Sequence, residues 1–163
     1  MIIVKAPGNL KYKNFRFRCA IGKSGIKKKI KEGDNITPKG KFKILKIYYR
    51  SDRIKEFSTN IKIIKIKKNM GWCDDPKSKK YNRLVKLPSK YGYEELHRKD
   101  NIYDLVLVLN YNMKPIIKNK GSAIFIHIAN KNYKKTAGCI GLKESHLINI
   151  IKKIKKNTQV IIN

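Results

Sequence analysis

A stretch near the C-terminal end, residues 122–142, constrains the fold of this chain more than any other. Its first part, residues 122–128, alternates two sets of side chains, and both sets contain apolar residues. One set comprises Ala123, Phe125 and His127, and the other comprises Ile124, Ile126 and Ile128. A period of two is typical of a β-strand. We therefore expect a strand here that is buried on at least one face.

The second part of the stretch carries reactive groups. A polar loop, residues 130–135, is followed by Thr136-Ala137-Gly138-Cys139-Ile140-Gly141-Leu142. Glycine lets the backbone approach a ligand closely. A thiol beside backbone N–H groups, with a histidine across a short loop, is the pattern of an activated sulfur nucleophile. We predict that Cys139 is the nucleophile, that His127 takes its proton, and that backbone at Gly138 and Cys139 stabilises an oxyanion. The alternative is a structural thiol in a turn.

The charge of the chain limits its partners. The 163 residues carry a formal net charge of +29, which attracts polyanions such as nucleic acid, anionic lipid or anionic cell-wall polymer. Lysine far outnumbers arginine, the residue that reads phosphates and bases most often. We therefore expect no nucleic-acid partner, and a basic polyanion-binding protein stays an alternative. With 41% hydrophobic residues, one domain spanning 1–163 is predicted.

The sequence predicts neither a membrane span nor a cofactor. Its apolar runs fall short of the roughly 18 residues of a transmembrane helix, and residues 1–5 are too short for a signal-peptide core. Cys19, Cys73 and Cys139 are too few for a disulfide scaffold. These cysteines and the histidines do not have zinc-site spacing, so no metal is expected.

The remaining segments predict a mainly β protein. Several short β-branched and aromatic runs are separated by turn residues, and one of them, residues 15–21, should turn its odd-numbered side chains to the core. Residues 143–156 have apolar side chains at helical spacing. These are Leu147, Ile150, Ile151 and Ile154. The expected architecture is a β-sandwich or barrel with one helix after the cysteine.

The segment 71–76 is the other unusual stretch. It contains Trp72, the single tryptophan, followed by Cys73 and the adjacent acids Asp74 and Asp75. Such a loop is interpreted either as a turn with an Asx cap or as a rim that faces the substrate or anchors a loop.

These motifs together resemble the YkuD-type L,D-transpeptidase catalytic domain, a peptidoglycan-processing family. The resemblance rests on His127 at a strand end and on Thr136-x-Gly138-Cys139-Ile140. It also rests on the upstream Gly33, Thr37-Pro38, Gly40 and Phe42, and on the helix after the cysteine. The similarity extends over nearly the whole chain.

The resemblance implies a function. Cys139 would form a thioester with a peptidoglycan stem peptide, and an imidazolium at His127 would lower the pKa of the thiol. Transfer to an amine would make a cross-link, and some members of a similar compact branch are associated with 1–3 rather than 3–3 links. Transfer to water would make an endopeptidase or carboxypeptidase. The family acts outside the cytoplasm, which implies the periplasm or cell envelope.

Seven residues are candidates for contact with the stem peptide. They are Thr136, Ala137, Trp72, Asp74, Arg83, His97 and Arg98.

Overall fold

The computed structural model describes residues 1–55 and 57–163. In these residues the fold is mainly β, with one α-helix near the C-terminus. The elements are β1 (Ile2–Lys5), β2 (Asn9–Tyr12), β3 (Phe15–Arg18), β4 (Ile26–Lys27), β5 (Thr37–Pro38), β6 (Gly40–Tyr49), β7 (Ile63–Lys65), β8 (Met70–Cys73), β9 (Leu84–Lys86), β10 (Tyr93–Glu95), β11 (Leu105–Leu109), β12 (Phe125–Ile128), a 3-10 turn (Lys131–Tyr133), β13 (Ile140–Leu142), α1 (Glu144–Ile151) and β14 (Gln159–Ile162).

The largest sheet is nearly closed on itself. Its strand order is β13-β12-β11-β6-β14-β1-β2-β3, and β7 pairs in addition with β6. Just beyond β3, Ala20 exchanges two backbone hydrogen bonds of 2.8 and 3.0 Å with Gly141 of β13. This bridge joins the two edges, so the sheet is barrel-like. The predicted mainly β fold with a helix after the cysteine is confirmed.

The central strands β11 and β12 are buried on both faces. One face packs into the larger apolar cluster and the other into a second cluster that contains Cys139. The first receives Leu105, Leu107, Leu109, Ile124, Ile126 and Ile128, and the second receives Val106, Val108, Ala123 and Phe125. The predicted alternation is confirmed. The strand is shorter than expected, because Ala123 has a φ of 50° and regular pairing begins at Phe125.

The helix is also shorter than predicted. It was expected over 143–156, and α1 ends at Ile151. Beyond this end, the hydroxyl of Tyr12 donates to the carbonyl of Lys153 at 2.7 Å and so satisfies a carbonyl that has no helical partner. In residues 1–55 and 57–163, no helix has the length and apolar character needed to cross a membrane.

The prediction for the segment 15–21 is wrong at its first residue. Cys19 and Ile21 are buried, whereas Phe15 is 49% exposed. The physical reason is that β3 lies at the edge of the sheet, where β2 is its strand neighbour. Phe15 therefore extends past the core and stacks on Phe17, with 6.0 Å between ring centroids.

The two-sided burial of β11 gives a stability prediction. Leu107→Ala should lower the free energy of unfolding by about 2–5 kcal/mol, because Leu107 is fully buried and its loss leaves a cavity. Leu45→Ala is the matched control, since Leu45 is 41% exposed on the neighbouring β6 and should cost less than about 1 kcal/mol. Urea denaturation measures both. Equal losses would contradict the assigned core.

Candidate active site

The pairing of β12 with β13 brings the predicted histidine and cysteine to the same face. The two strands are parallel, and His127 lies opposite Gly141. Cys139 precedes Gly141 by two residues, so its side chain points to the same side as that of His127. Strand geometry separates their Cα atoms by about 8 Å along the diagonal. Gly141 has no side chain there, and a Cβ at this position would lie 3.2 Å from Cα of Ala129 and from Cβ of Ala20.

The sulfur of Cys139 is held by backbone groups on β12 and just before it. Its S–H donates to the carbonyl of Ala123 at 3.0 Å, and the amide of Phe125 donates to Sγ at 3.4 Å. Cys139 is 8% exposed. Burial raises the pKa of the thiol above its usual range, and the nearby carboxylate of Glu94 raises it further. The resting sulfur is therefore a protonated thiol at neutral pH.

His127 is buried in a defined tautomer. Its Nδ1 lies 2.9 Å from the carbonyl oxygen of Ile128, which can only accept. Nδ1 therefore carries the proton and Nε2 keeps a lone pair. Burial lowers the pKa of His127 to about 4. The group that orients the imidazole is thus a backbone carbonyl, which is a common partner of Nδ1–H.

The expected imidazolium beside the sulfur does not fit this structure. Removing both side chains from water disfavours their charged forms, which lowers the pKa of His127 and raises that of Cys139. Both groups are neutral at pH 7. If His127 is the base that the sequence predicts, the proton moves from sulfur to Nε2 during attack on a substrate, and not before it.

The upstream Thr-Pro motif holds the loop before the cysteine. Thr37 is fully buried. Its hydroxyl accepts from the amide of Gly22 at 2.8 Å and donates to the carbonyl of Gly138 at 2.9 Å. Gly138 has a φ of +142°, and a Cβ there would lie 2.8 Å from the carbonyl oxygen of Ile36. Glycine is therefore required at this position for steric reasons.

The predicted oxyanion role of Gly138 does not fit its hydrogen bonding. Its amide donates to the hydroxyl of Thr136 at 3.1 Å, and that hydroxyl donates to the carbonyl of Cys139 at 2.6 Å. Gly138 therefore shapes the loop. The amide of Cys139 is the remaining candidate of the two predicted oxyanion donors.

A cavity of about 270 Å³ opens beside His127. Tyr103 forms part of its wall, with its ring centroid 5.3 Å from that of His127. The hydroxyl of Tyr103 donates to the carboxylate of Glu94, which lies on the same wall. Burial raises the pKa of Glu94. Lys134 and Lys135 add positive charge, so the cavity presents charges of both signs.

The structure brings two of the seven predicted substrate residues to this cavity. Thr136 and Arg98 lie on its wall, and Arg98 also forms an ion pair of 2.6 Å with Asp100. Ala137 is exposed beside Thr136. In the part of the chain that the structure describes, the wall does not include Asp74, Arg83 or His97.

The predicted contact of Trp72 with substrate is wrong for its side chain. Trp72 is 1% exposed, and its indole N–H donates to Oδ1 of Asn82 at 3.0 Å. The segment after it is a turn in which Asp75 accepts from the amide of Lys77 at 2.9 Å, as an Asx cap does. The structure therefore fits two of the earlier interpretations of this stretch, a turn with an Asx cap and an anchor for a loop. It does not fit a rim that faces the substrate.

Sequence reasoning missed the place of Glu94 and Tyr103 on the cavity wall. Glu94 stands in a run of charged residues that indicates a solvated surface, and Tyr103 precedes a strand of purely apolar residues. The contacts that give both residues a role join distant segments of the chain. In residues 1–55 and 57–163, no group of three or more His, Cys, Asp or Glu side chains is arranged to hold a metal ion.

Comparison with known families agrees with this geometry. The family model described as the YkuD L,D-transpeptidase catalytic domain matches residues 3–162. No curated protein matches the chain. The family match includes the His127 strand, the Cys139 loop and the Thr37 motif, so the predicted family is confirmed.

The hydroxyl of Thr37 should contribute more to the stability of the protein than the volume of its side chain does. Thr37→Val keeps the volume and leaves the amide of Gly22 and the carbonyl of Gly138 unpaired, at a cost of about 1–3 kcal/mol in unfolding free energy. Thr37→Ser is the control, because it keeps the hydroxyl and should cost less. Chemical denaturation compares them. Serine and valine variants of equal stability would show that the two hydrogen bonds do not hold the loop.

The buried imidazole predicts a pH dependence of stability. Because burial lowers the pKa of His127 from 6.5 to about 4, the unfolded chain binds a proton there before the folded protein does. The free energy of unfolding should therefore fall as the pH drops from 6.5 to 4. The loss is at most about 3 kcal/mol, at about 1.4 kcal/mol for each tenfold difference in proton affinity.

His127→Gln is the comparison for this measurement. Carboxyl groups titrate in both proteins, so the difference between the two curves of unfolding free energy against pH isolates the histidine. Parallel curves would mean that the imidazole is not buried in its neutral form.

Proposed function

Because the chain belongs to the YkuD family of L,D-transpeptidase catalytic domains, we propose that it is a peptidoglycan L,D-transpeptidase with Cys139 as nucleophile and His127 as base. The observation that carries this proposal is the parallel register of β12 and β13, with His127 opposite Gly141 and Cys139 two residues earlier. A cysteine and a histidine on one face of a sheet, with the histidine lining a cavity, form an arrangement that suits acyl transfer.

The first half of the reaction forms a thioester. Sγ of Cys139 attacks the carbonyl carbon of an L-centre that precedes a D-centre in the stem peptide, while Nε2 of His127 takes the thiol proton. The amide of Cys139 donates to the resulting oxyanion. The C–N bond then breaks, the leaving amine takes the proton from His127, and the acyl group remains on sulfur.

The second half transfers the acyl group. An amine of another stem peptide attacks the thioester carbonyl, His127 accepts a proton from that amine, and the C–S bond breaks. The sulfur takes the proton back as a thiol. The products are a new amide cross-link and the resting enzyme. Attack by water in place of the amine would give hydrolysis with the same two residues.

The charges of the cavity support this substrate class. Stem peptides carry carboxylates, for which Arg98, Lys134 and Lys135 provide cationic partners. The acceptor carries an amine, for which Glu94 provides a carboxylate on the same wall. Peptidoglycan lies outside the cytoplasm, so we infer that the protein acts at the cell envelope, in the periplasm.

Acylation by a carbapenem tests the nucleophile. Intact-mass spectrometry should show one covalent adduct, mapped to Cys139 by peptide analysis, because reagents of this class acylate the family's cysteine. Cys139→Ala should lose the adduct entirely. Cys19→Ala is the matched control, since Cys19 is another buried free thiol and should leave the adduct intact. An unmodified wild-type protein would contradict the proposal.

Muropeptide analysis with the purified protein distinguishes the reactions open to the same pair of residues. New dimers are expected, and tandem mass spectrometry of these dimers assigns 1–3 or 3–3 links. Shortened monomers without dimers would establish an endopeptidase or carboxypeptidase instead. Salt-sensitive DNA binding that survives Cys139→Ala, with no reaction on peptidoglycan, would favour the polyanion-binding alternative.

A further inference from the structure

The backbone that accepts the hydrogen bond from the thiol has an unusual conformation. Ala123 has a φ of 50°, in the left-handed region that residues other than glycine rarely adopt. Ala123 is 4% exposed. Its carbonyl accepts the S–H of Cys139 at 3.0 Å. The direction of this hydrogen bond depends on the conformation of Ala123, so something must hold that conformation.

The side chain of Asn82 holds Ala123 in this conformation. Its Oδ1 accepts from the amide of Ala123 at 3.1 Å and from the indole of Trp72 at 3.0 Å. Its Nδ2 donates to the carbonyls of Tyr111 at 3.2 Å and Asn112 at 2.8 Å. Asn82 is 1% exposed. The amide thus uses both donors and both acceptor positions, which fixes its orientation without a choice of rotamer or flip.

Trp72 ties this amide to the core under the cysteine. Its ring packs edge-on against Phe125 with centroids 5.2 Å apart, and against Tyr48 at 6.5 Å. Phe125 is also the residue whose amide donates to the sulfur. The indole of Trp72 therefore supports both hydrogen-bonding partners of Cys139. It reaches Ala123 through Asn82, and it packs directly against Phe125.

We propose that Asn82 is a positioning residue for the nucleophile: it holds Ala123 so that the carbonyl of Ala123 accepts the hydrogen bond from the S–H of Cys139 and fixes the direction of the sulfur. The proposal deepens the function proposed above and rests on it for the identity of the nucleophile. Asn82 does not touch the substrate in this account. It acts through the backbone of Ala123.

Two consequences follow from the geometry. A hydrogen bond from S–H to a carbonyl stabilises the thiol relative to the thiolate, so the resting sulfur reacts slowly with small alkylating reagents. It also holds the sulfur in a defined direction, which acylation requires. Loss of Asn82 should therefore make Cys139 more reactive toward alkylation and less competent in acylation.

The other titratable groups near the thiol are the same in the wild type and in the variants of the experiment below. Glu94 and Lys29 act on the sulfur through their charges, and Tyr103 packs in the same cluster. His127 lies on the adjacent strand. None of these residues is changed in the experiment below, so a shift in the pH profile of alkylation reports the Ala123 hydrogen bond.

The test compares Asn82→Gly with the wild type. Glycine accepts the φ of 54° at this position and removes the side-chain amide. Asn119→Gly is the matched control, because Asn119 is exposed and has a φ of 61°. Rates of alkylation by iodoacetamide are followed separately at Cys139 and Cys19 as a function of pH, and carbapenem acylation is followed by intact mass.

In Asn82→Gly we expect alkylation of Cys139 to rise about tenfold, the rate equivalent of one hydrogen bond, with its pH profile moved to lower pH. Acylation should fall by a similar factor. Cys19 should be unchanged, because it lies buried in the larger cluster and reports global unfolding. Asn119→Gly should match the wild type at both cysteines. Unchanged rates of alkylation and acylation in a folded Asn82→Gly protein would overturn the proposal.

A second measurement covers the case in which Asn82→Gly unfolds and Cys19 also reacts. Amide hydrogen exchange in the wild-type protein should be as slow at Ala123 as at Phe125 if Asn82 holds that amide. Exchange at Ala123 as fast as at the exposed Asn132 would overturn the proposal. A wild type that carbapenem does not acylate would instead overturn the proposed function, and the alkylation arm would still test Asn82.

Discussion

The parallel pairing of β12 with β13 is the constraint on which the candidate site depends. It sets His127 across from Gly141, and thereby turns the imidazole and the thiol of Cys139 to one face of the sheet. The position of β13 against β12 is fixed by hydrogen bonds on either side of Cys139. Thr37 holds the loop before the cysteine, and the bridge between Ala20 and Gly141 closes the barrel next to β13. A slip by one residue would turn the thiol into the opposite apolar cluster.

Burial determines the chemical state of the pair. A sulfur and an imidazole that are both removed from water are more stable as neutral groups than as separated charges. The resting cysteine is therefore a thiol whose S–H donates a hydrogen bond to the carbonyl of Ala123. This arrangement protects the sulfur from small electrophiles, since the thiolate is the reactive form. In the proposed mechanism, proton transfer occurs during the attack itself, and the lone pair on Nε2 of His127 accepts the proton.

The sequence predicted those parts of the molecule that depend on local pattern. Alternation in residues 122–128 predicted a strand, and the strand indeed divides its side chains between two clusters. The Gly-Cys motif indicated the family, and helical spacing predicted α1. Local pattern gave wrong predictions of burial where contacts with distant segments determine whether a side chain is exposed. Phe15 is exposed because β3 is an edge, and Trp72 is buried because Asn82 and Phe125 surround its ring. Pattern likewise cannot reveal desolvation, which disfavours the expected ion pair in this structure.

The protonation state of His127 in the resting protein tests this account most directly. Nitrogen-15 NMR of the imidazole distinguishes a protonated ring nitrogen from one with a lone pair. We predict a neutral ring from pH 5 to pH 8, with the proton on Nδ1 toward the carbonyl of Ile128 and the lone pair on Nε2. An imidazolium signal at pH 7 that disappears in Cys139→Ala would show a thiolate–imidazolium pair, and would contradict the claim that burial keeps both groups neutral.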